Sequence, residues 1–158
     1  MEYLGLKENP AERTKSFALR HTVSLSETNA MGGVVYFSNF VKWQGVAREL
    51  ILQRELDYKK LMAASIDMIT HSCSIKFLGH LYFGDVVRFE IQTAKILPMS
   101  FVMLFEYFRD DNSKIVATGD QKVTFANSRD GNLCRIPSEI YDLVKRVEVG
   151  IPESISGK

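Results

Sequence analysis

At 158 residues, with 46% hydrophobic and 25% charged residues, the chain has the size and composition of one globular domain with a real core. Its 20 basic and 19 acidic residues are interspersed and leave a formal net charge of +1, which gives nucleic acid no electrostatic footprint. No apolar run approaches the roughly 20 residues that span a bilayer, the N-terminus lacks a signal peptide's apolar core, and Cys73 and Cys134 stand far apart; a cytoplasmic protein without membrane or nucleic-acid partners is expected.

Residues 1–15 are polar, with Pro10 and several charges, and read as an N-terminal arm. Residues 16–26 alternate: Phe17, Leu19, His21, Val23 and Leu25 share one face of a half-buried strand. Residues 28–37 break that pattern, and Gly32-Gly33 open backbone angles closed to other residues. From about residue 38 to 56 the period is helical. Tyr36, Phe40, Trp43, Ala47 and Leu50/Ile51 form one apolar stripe, with Val41, Gly45, Arg48 and Leu52 beside it. A mid-helix glycine costs about 1 kcal/mol against alanine, so Gly45 implies close approach by something packed there. Residues 57–64 suit a second short helix or turn.

The remainder reads mostly as strand, over 65–77, 86–94, 101–108 and 114–125. Ile69, His71, Cys73, Ile75 and Phe77 fall in register on the first of these, and the third is apolar on both faces, as in a central strand. Pro137-Ser138-Glu139 opens a terminal helix to about residue 147 with Ser138 as N-cap, and 150–158 is a flexible tail. The pattern predicts a single α+β domain over residues 16–149, an antiparallel sheet of about five strands wrapped around one long helix.

The polar run Ser26-Glu27-Thr28-Asn29 and the glycine pair feed the helix that carries the only tryptophan, Trp43. Flexible backbone entering a helix N-terminus presents amide N–H groups and a positive dipole end to a ligand oxygen, which marks this stretch as the candidate site. Residues 27–49, ETNAMGGVVYFSNFVKWQGVARE, resemble the opening motif of the hot-dog-fold thioesterases of the 4-hydroxybenzoyl-CoA thioesterase type. The segment HSCSIKFLG at 71–79, the Gly84-Asp85 turn and TGDQKVTF at 118–125 extend the resemblance over roughly residues 16–140. The common family form has a catalytic Asp where this chain has Asn29 and often a His where it has Phe37, and Met31 is one residue extra. With Trp43-Gln44-Gly45 and Arg48-Glu49, Asn29 looks most similar to the thioesterases of enediyne polyketide biosynthesis, whose hydrolysis is thought to need no carboxylate base.

The resemblance implies a thioesterase acting on a β-ketoacyl or polyketide thioester of an acyl carrier protein or coenzyme A. By motif position it places catalysis on Asn29 and Arg48; Tyr36 and Glu49 join them as catalytic candidates, and Gly33, Val34, Phe37, Phe40 and Trp43 are candidates for substrate binding. Thioester hydrolysis needs a polarised carbonyl, a held water and a site for the oxyanion. Backbone amides at residues 33–37 supply the last of these. Asn29 holds a water or a substrate oxygen, and Arg48 a keto, enolate or carboxylate oxygen.

Two alternatives stand beside this reading. One is a generic acyl-CoA thioesterase with Glu49 or Glu27 as base; the other is a non-catalytic acyl-binding module. The residues alone also allow Asn29 as a turn former, Arg48-Glu49 as a solvated pair, Gly32-Gly33 as a hinge, and Tyr36 and Phe40 as core or acyl-tunnel lining. His71, Cys73 and His80 have metal-binding chemistry, but His71 and Cys73 are simply neighbours on one strand face, so no metal is expected. No cofactor is expected beyond the phosphopantetheine or coenzyme A that the substrate carries. The family implies a homodimer or homotetramer with sites at the dimer junction, consistent with an uncovered sheet edge.

Overall fold

The computed structural model describes residues 1–9, 14–29 and 32–150, so Pro10, Met31 and the expected tail beyond Gly150 lie outside the described residues. Six strands, β1 (Glu2–Asn9), β2 (Thr14–Thr22), β3 (Ile66–Phe77), β4 (Val86–Leu97), β5 (Ser100–Arg109) and β6 (Ile115–Asn127), pair antiparallel in the order β1-β2-β4-β5-β6-β3. Among the described residues three α-helices accompany them: α1 (Ser38–Glu55), α2 (Tyr58–Ala63) and α3 (Ser138–Lys145). The expected wrapping of one sheet around one long helix is the observed hot-dog architecture. Among the described residues no helix is long and apolar enough to cross a membrane.

Strand alternation builds the floor on which α1 lies. The register aligns Leu19, Phe89, Tyr107, Ala117 and Phe77 across the sheet, and beside them Phe17, Ile91, Phe105, Gly119 and Ile75. Onto these rows α1 lowers Phe40, Trp43, Ala47 and Ile51, all buried. Trp43 meets Phe89 edge-on at 5.8 Å, and Phe40 packs on Tyr107 at 5.4 Å. The Tyr107 hydroxyl donates to the Phe40 carbonyl at 3.1 Å, so a buried polar group is satisfied where helix and sheet touch. The glycine that permits close approach is Gly119. A Cβ there would sit 2.6 Å from the Ser74 carbonyl oxygen and 2.7 Å from Gln44 Nε2.

Several expectations are corrected. The supposed N-terminal arm contains β1, whose residues pair with Thr14–Arg20 of β2 and whose Tyr3 hydroxyl bonds to Glu55 of α1. Its polar look reflects an edge strand with one wet face. A Cβ at Gly45 would have no heavy atom within 4 Å outside its neighbours and the backbone of its own helix, so the described residues show no close approach there. Leu25 leaves the strand for a short 3-10 turn, Leu25–Glu27, and is exposed. Tyr36 precedes α1 and lies half exposed, off the buried stripe. Pro137, not Ser138, is the N-cap of α3, and no side chain caps that helix.

β3 also departs from expectation, because it is the outer strand beside β6 and Ile69, His71, Cys73 and Phe77 are all exposed. A register shift between Thr70 and Ser72 bulges it at His71. Among the described residues, its outer edge has no strand partner.

Candidate active site

Glu27 organises the entry to α1. Its backbone carbonyl accepts from the Tyr36 amide at 2.9 Å and from Asn39 Nδ2 at 2.8 Å. Its buried carboxylate accepts from the Ser24 amide at 2.9 Å and from Trp43 Nε1 at 2.9 Å, and His21 Nε2 lies 2.9 and 2.8 Å from the two oxygens. Burial by itself raises the Glu27 pKa, but the hydrogen bonds from Ser24, His21 and Trp43 and the charge on His21 outweigh it and hold the carboxyl below its ordinary range. One side chain thus ties the end of β2, the 3-10 turn and α1 together. Both oxygens are engaged, so Glu27 is a clamp and not a free base.

From this clamp the chain runs out and back. Thr28 bridges Val35, and the Asn29 amide donates to the Val34 carbonyl at 2.9 Å. Gly32 and Gly33 take φ of +115° and +72°, angles that side chains rarely adopt, at the turn. The returning segment is pinned by the Val35 amide on the Leu81 carbonyl at 2.8 Å and the Phe83 amide on the Gly33 carbonyl at 3.2 Å. Asn29 is left exposed, and its side chain has no partner among the described residues.

Of the amides expected to meet an oxyanion, those of Val35 and Tyr36 are already donating. The Asn39 and Phe40 amides close onto the carbonyls of Tyr36 and Phe37. This leaves the amides of Gly33 and Val34 in the turn, and of Phe37 and Ser38 at the positive end of α1, without a backbone acceptor among the described residues. Tyr36 and Phe37, 50% and 57% exposed with rings 4.7 Å apart, flank the Phe37 and Ser38 amides. Phe40 and Trp43, expected to touch substrate, are instead protomer core at 3% and 2% exposure. Gly33 and Val34 stay in the turn and are half-buried.

Arg48 lies further along α1 and faces the sheet. Its Nη1 donates to Thr70 Oγ1 of β3 and to Gln121 Oε1 of β6, each at 2.9 Å. Burial lowers its pKa, partly countered by the charge of the adjacent Glu49. No carboxylate among the described residues lies within ion-pair distance of the guanidinium. Glu49 itself is exposed and lines a cleft together with Arg48.

The structure does not join Asn29 to Arg48 within one chain. They share no hydrogen-bond partner among the described residues, and Arg48 stands ten residues along α1 from Ser38, about 15 Å at 1.5 Å per residue. Gln121 and Thr70 are hydrogen-bond partners of Arg48 that the sequence reading missed. Gln121 carries a signal: inward positions of β6 run Ala117, Gly119, Gln121, Val123, Phe125, so it is the polar break in an otherwise small or apolar row. Among the described residues no three His, Cys, Asp or Glu side chains converge as a metal site.

The six-stranded antiparallel sheet around α1 is the hot-dog fold, and residues 23–144 match the thioesterase-like superfamily, to which the chain belongs. It is a thioester hydrolase by class. A 1,4-dihydroxy-2-naphthoyl-CoA hydrolase of Prochlorococcus marinus (strain NATL2A) is 28% identical over 130 residues, covering 75% of this chain and 79% of that protein. The dynemicin thioesterase, whose crystal structures concern polyene binding, is 27% identical with a TM-score of 0.77, covering 85% of this chain and 98% of that one. The 1,4-dihydroxy-2-naphthoyl-CoA thioesterase from Synechocystis, at 18% identity and a TM-score of 0.75 over 82% of this chain and 96% of its own, shares the fold.

Proposed function

We propose that the protein hydrolyses a β-ketoacyl or polyketide thioester, carried by an acyl carrier protein or coenzyme A, at a site built from two subunits. The observation that carries this reading is the separation of about 15 Å along α1 between the helix entry and Arg48. Asn29 and Arg48 act on one thioester only if they come from different protomers. An antiparallel pair of α1 helices brings the entry of one beside Arg48 of the other. The unpartnered edge of β3, the open face of Gly45 and the exposed Val41 and Phe77 support such a dimer. Pairing of two dimers into a tetramer is compatible with it.

In this site the Phe37 and Ser38 amides receive the oxyanion, Asn29 holds the attacking water, and Arg48 of the opposite protomer binds the keto oxygen. Water adds to the carbonyl carbon to give that oxyanion, which collapses with loss of the C–S bond, and the proton lost by the water ends on the departing thiolate. Thiolates are good leaving groups, so a carboxylate base is dispensable, and Glu27, the carboxylate at the helix entry, is engaged elsewhere. A second reading has one observation in its favour. Glu49 is exposed and lines the Arg48 cleft, where it can serve as base in a CoA thioesterase of aromatic acyl groups.

Kinetics with matched acyl-CoA and acyl-carrier substrates separate the two. The first reading expects Asn29→Ala and Arg48→Ala each to lower kcat/KM by about 100-fold or more, with Glu49→Gln nearly normal. The opposite pattern establishes the second.

A further inference from the structure

Elsewhere in the fold, arginines are held by carboxylates: Arg20, Arg88, Arg109 and Arg146 each pair with an Asp or Glu. Arg48 is anchored differently. Its Nη1 donates to two neutral oxygens, Thr70 Oγ1 of β3 and Gln121 Oε1 of β6, each at 2.9 Å. Its Nε and Nη2 have no protein partner among the described residues, so the rest of the guanidinium's donors stay available. Glu49 of α1, Tyr58 of α2 and Asp67 of β3 line a cleft with Arg48. Neither of those carboxylates forms an ion pair with it among the described residues.

Two features of the sheet serve this anchor. The first is the bulge in β3. Side chains alternate along a strand, so Thr70 and Cys73, three residues apart, belong on opposite faces. The register shift between Thr70 and Ser72 instead sets Thr70 opposite Val123 and Cys73 opposite Gln121, both buried inward positions of β6. The extra residue thus re-aims the Thr70 hydroxyl toward α1. The second feature is Gln121 itself, 3% exposed in a row of β6 that is otherwise small or apolar. A buried polar side chain needs a partner, and Arg48 is the partner of its oxygen. A glutamate at this position would have nearly the same size and bond more strongly, but it would cancel the charge. A carboxamide holds the guanidinium in place and leaves that charge facing the cleft.

We propose that Thr70 and Gln121 are positioning residues, a neutral mount that fixes Arg48 and keeps its positive charge uncancelled for a substrate oxygen. The proposal rests on the thioesterase reading of Arg48 and adds how that side chain is held. A charge fixed in advance and shielded from water stabilises a substrate oxygen more than a mobile, solvated one does.

The test measures kcat/KM of the full chain on 3-oxooctanoyl-CoA, with the melting temperature followed in parallel. Gln121→Leu removes the hydrogen bond without adding charge and should cost about 10-fold. Gln121→Glu keeps the shape but cancels the charge, and should cost more, about 100-fold. Thr70→Val should cost about 10-fold, whereas Thr70→Ser, which keeps the hydroxyl, should restore activity to within about 2-fold of wild type. Both residues act through Arg48, so none of these substitutions should lower the rate further in an Arg48→Ala background. A general loosening of the fold would lower it in both backgrounds. Should Gln121→Glu fold poorly, Thr70→Asp makes the same charge test at an exposed position of the edge strand.

A Gln121→Glu loss no greater than that of Gln121→Leu, or equal losses with and without Arg48, overturns the proposal. Normal activity in Arg48→Ala alone overturns the site reading, and the proposal with it. If the wild type turns over no thioester, calorimetric binding of 3-oxooctanoyl-CoA decides: weaker binding by Gln121→Glu upholds the mount, and equal binding removes it.

Discussion

Glu27 shows how much can rest on one residue. Its carboxylate receives donors from positions 21, 24 and 43, while its carbonyl receives two more from 36 and 39. Glu27→Ala leaves the buried indole N–H of Trp43 without an acceptor and should cost about 2–4 kcal/mol, read from chemical denaturation. The pH dependence has a definite sign. A carboxyl whose folded pKa is depressed stabilises the fold fully above its ordinary pKa, and the contribution fades as pH falls through the lower, folded value. Wild type should therefore lose stability on acidification below the ordinary glutamate range more steeply than Glu27→Gln does; parallel profiles would contradict the clamp. The resemblance of the motif singles out Asn29 and Arg48 in the sequence, and the structure leaves them apart within one chain. Glu27 was misread as a spare base, since a sequence displays a carboxylate but not the donors that fold around it.

Among the elements, α1 and the four strands after it announce themselves through period, and the structure moves their bounds by only a few residues. β1 was lost because eight residues of mixed polarity at a sheet edge alternate weakly and Pro10 follows at once. The two glycines were exchanged in meaning. Gly45 drew attention by its helical setting yet meets open space in its own chain, whereas Gly119, unremarked in a strand, lets Gln44 and the Ser74 carbonyl close in. Gly119→Ala should destabilise by about 1–3 kcal/mol in thermal unfolding, because backbone stands in the way of the new methyl group. An unchanged melting temperature would show that the α1–sheet contact is looser than its geometry. Ile69, His71, Cys73, Ile75 and Phe77 read as one alternating set on β3, yet all but Ile75 are exposed in a single chain. An alternating pattern reports that a face is to be buried, not which chain buries it.

For the whole molecule, that last distinction carries the functional claim. The exposed β3 edge and the apolar surface around Val41, Phe77, Leu78 and Phe83 are where the proposed dimer would seat its second copy. Ile69→Lys, which adds a charge on β3, should shift the protein toward monomer in sedimentation velocity and abolish turnover together. Retained activity in a monomer would remove the shared site. The most direct measurement mixes two inactive variants, Asn29→Ala and Arg48→Ala, after unfolding and refolding them together. If each site takes Asn29 from one subunit and Arg48 from the other, half the sites in every mixed dimer are intact, and activity returns to about a quarter of wild type. If both residues serve a site within one chain, no mixed dimer contains an intact pair, and activity stays at the level of the separate variants.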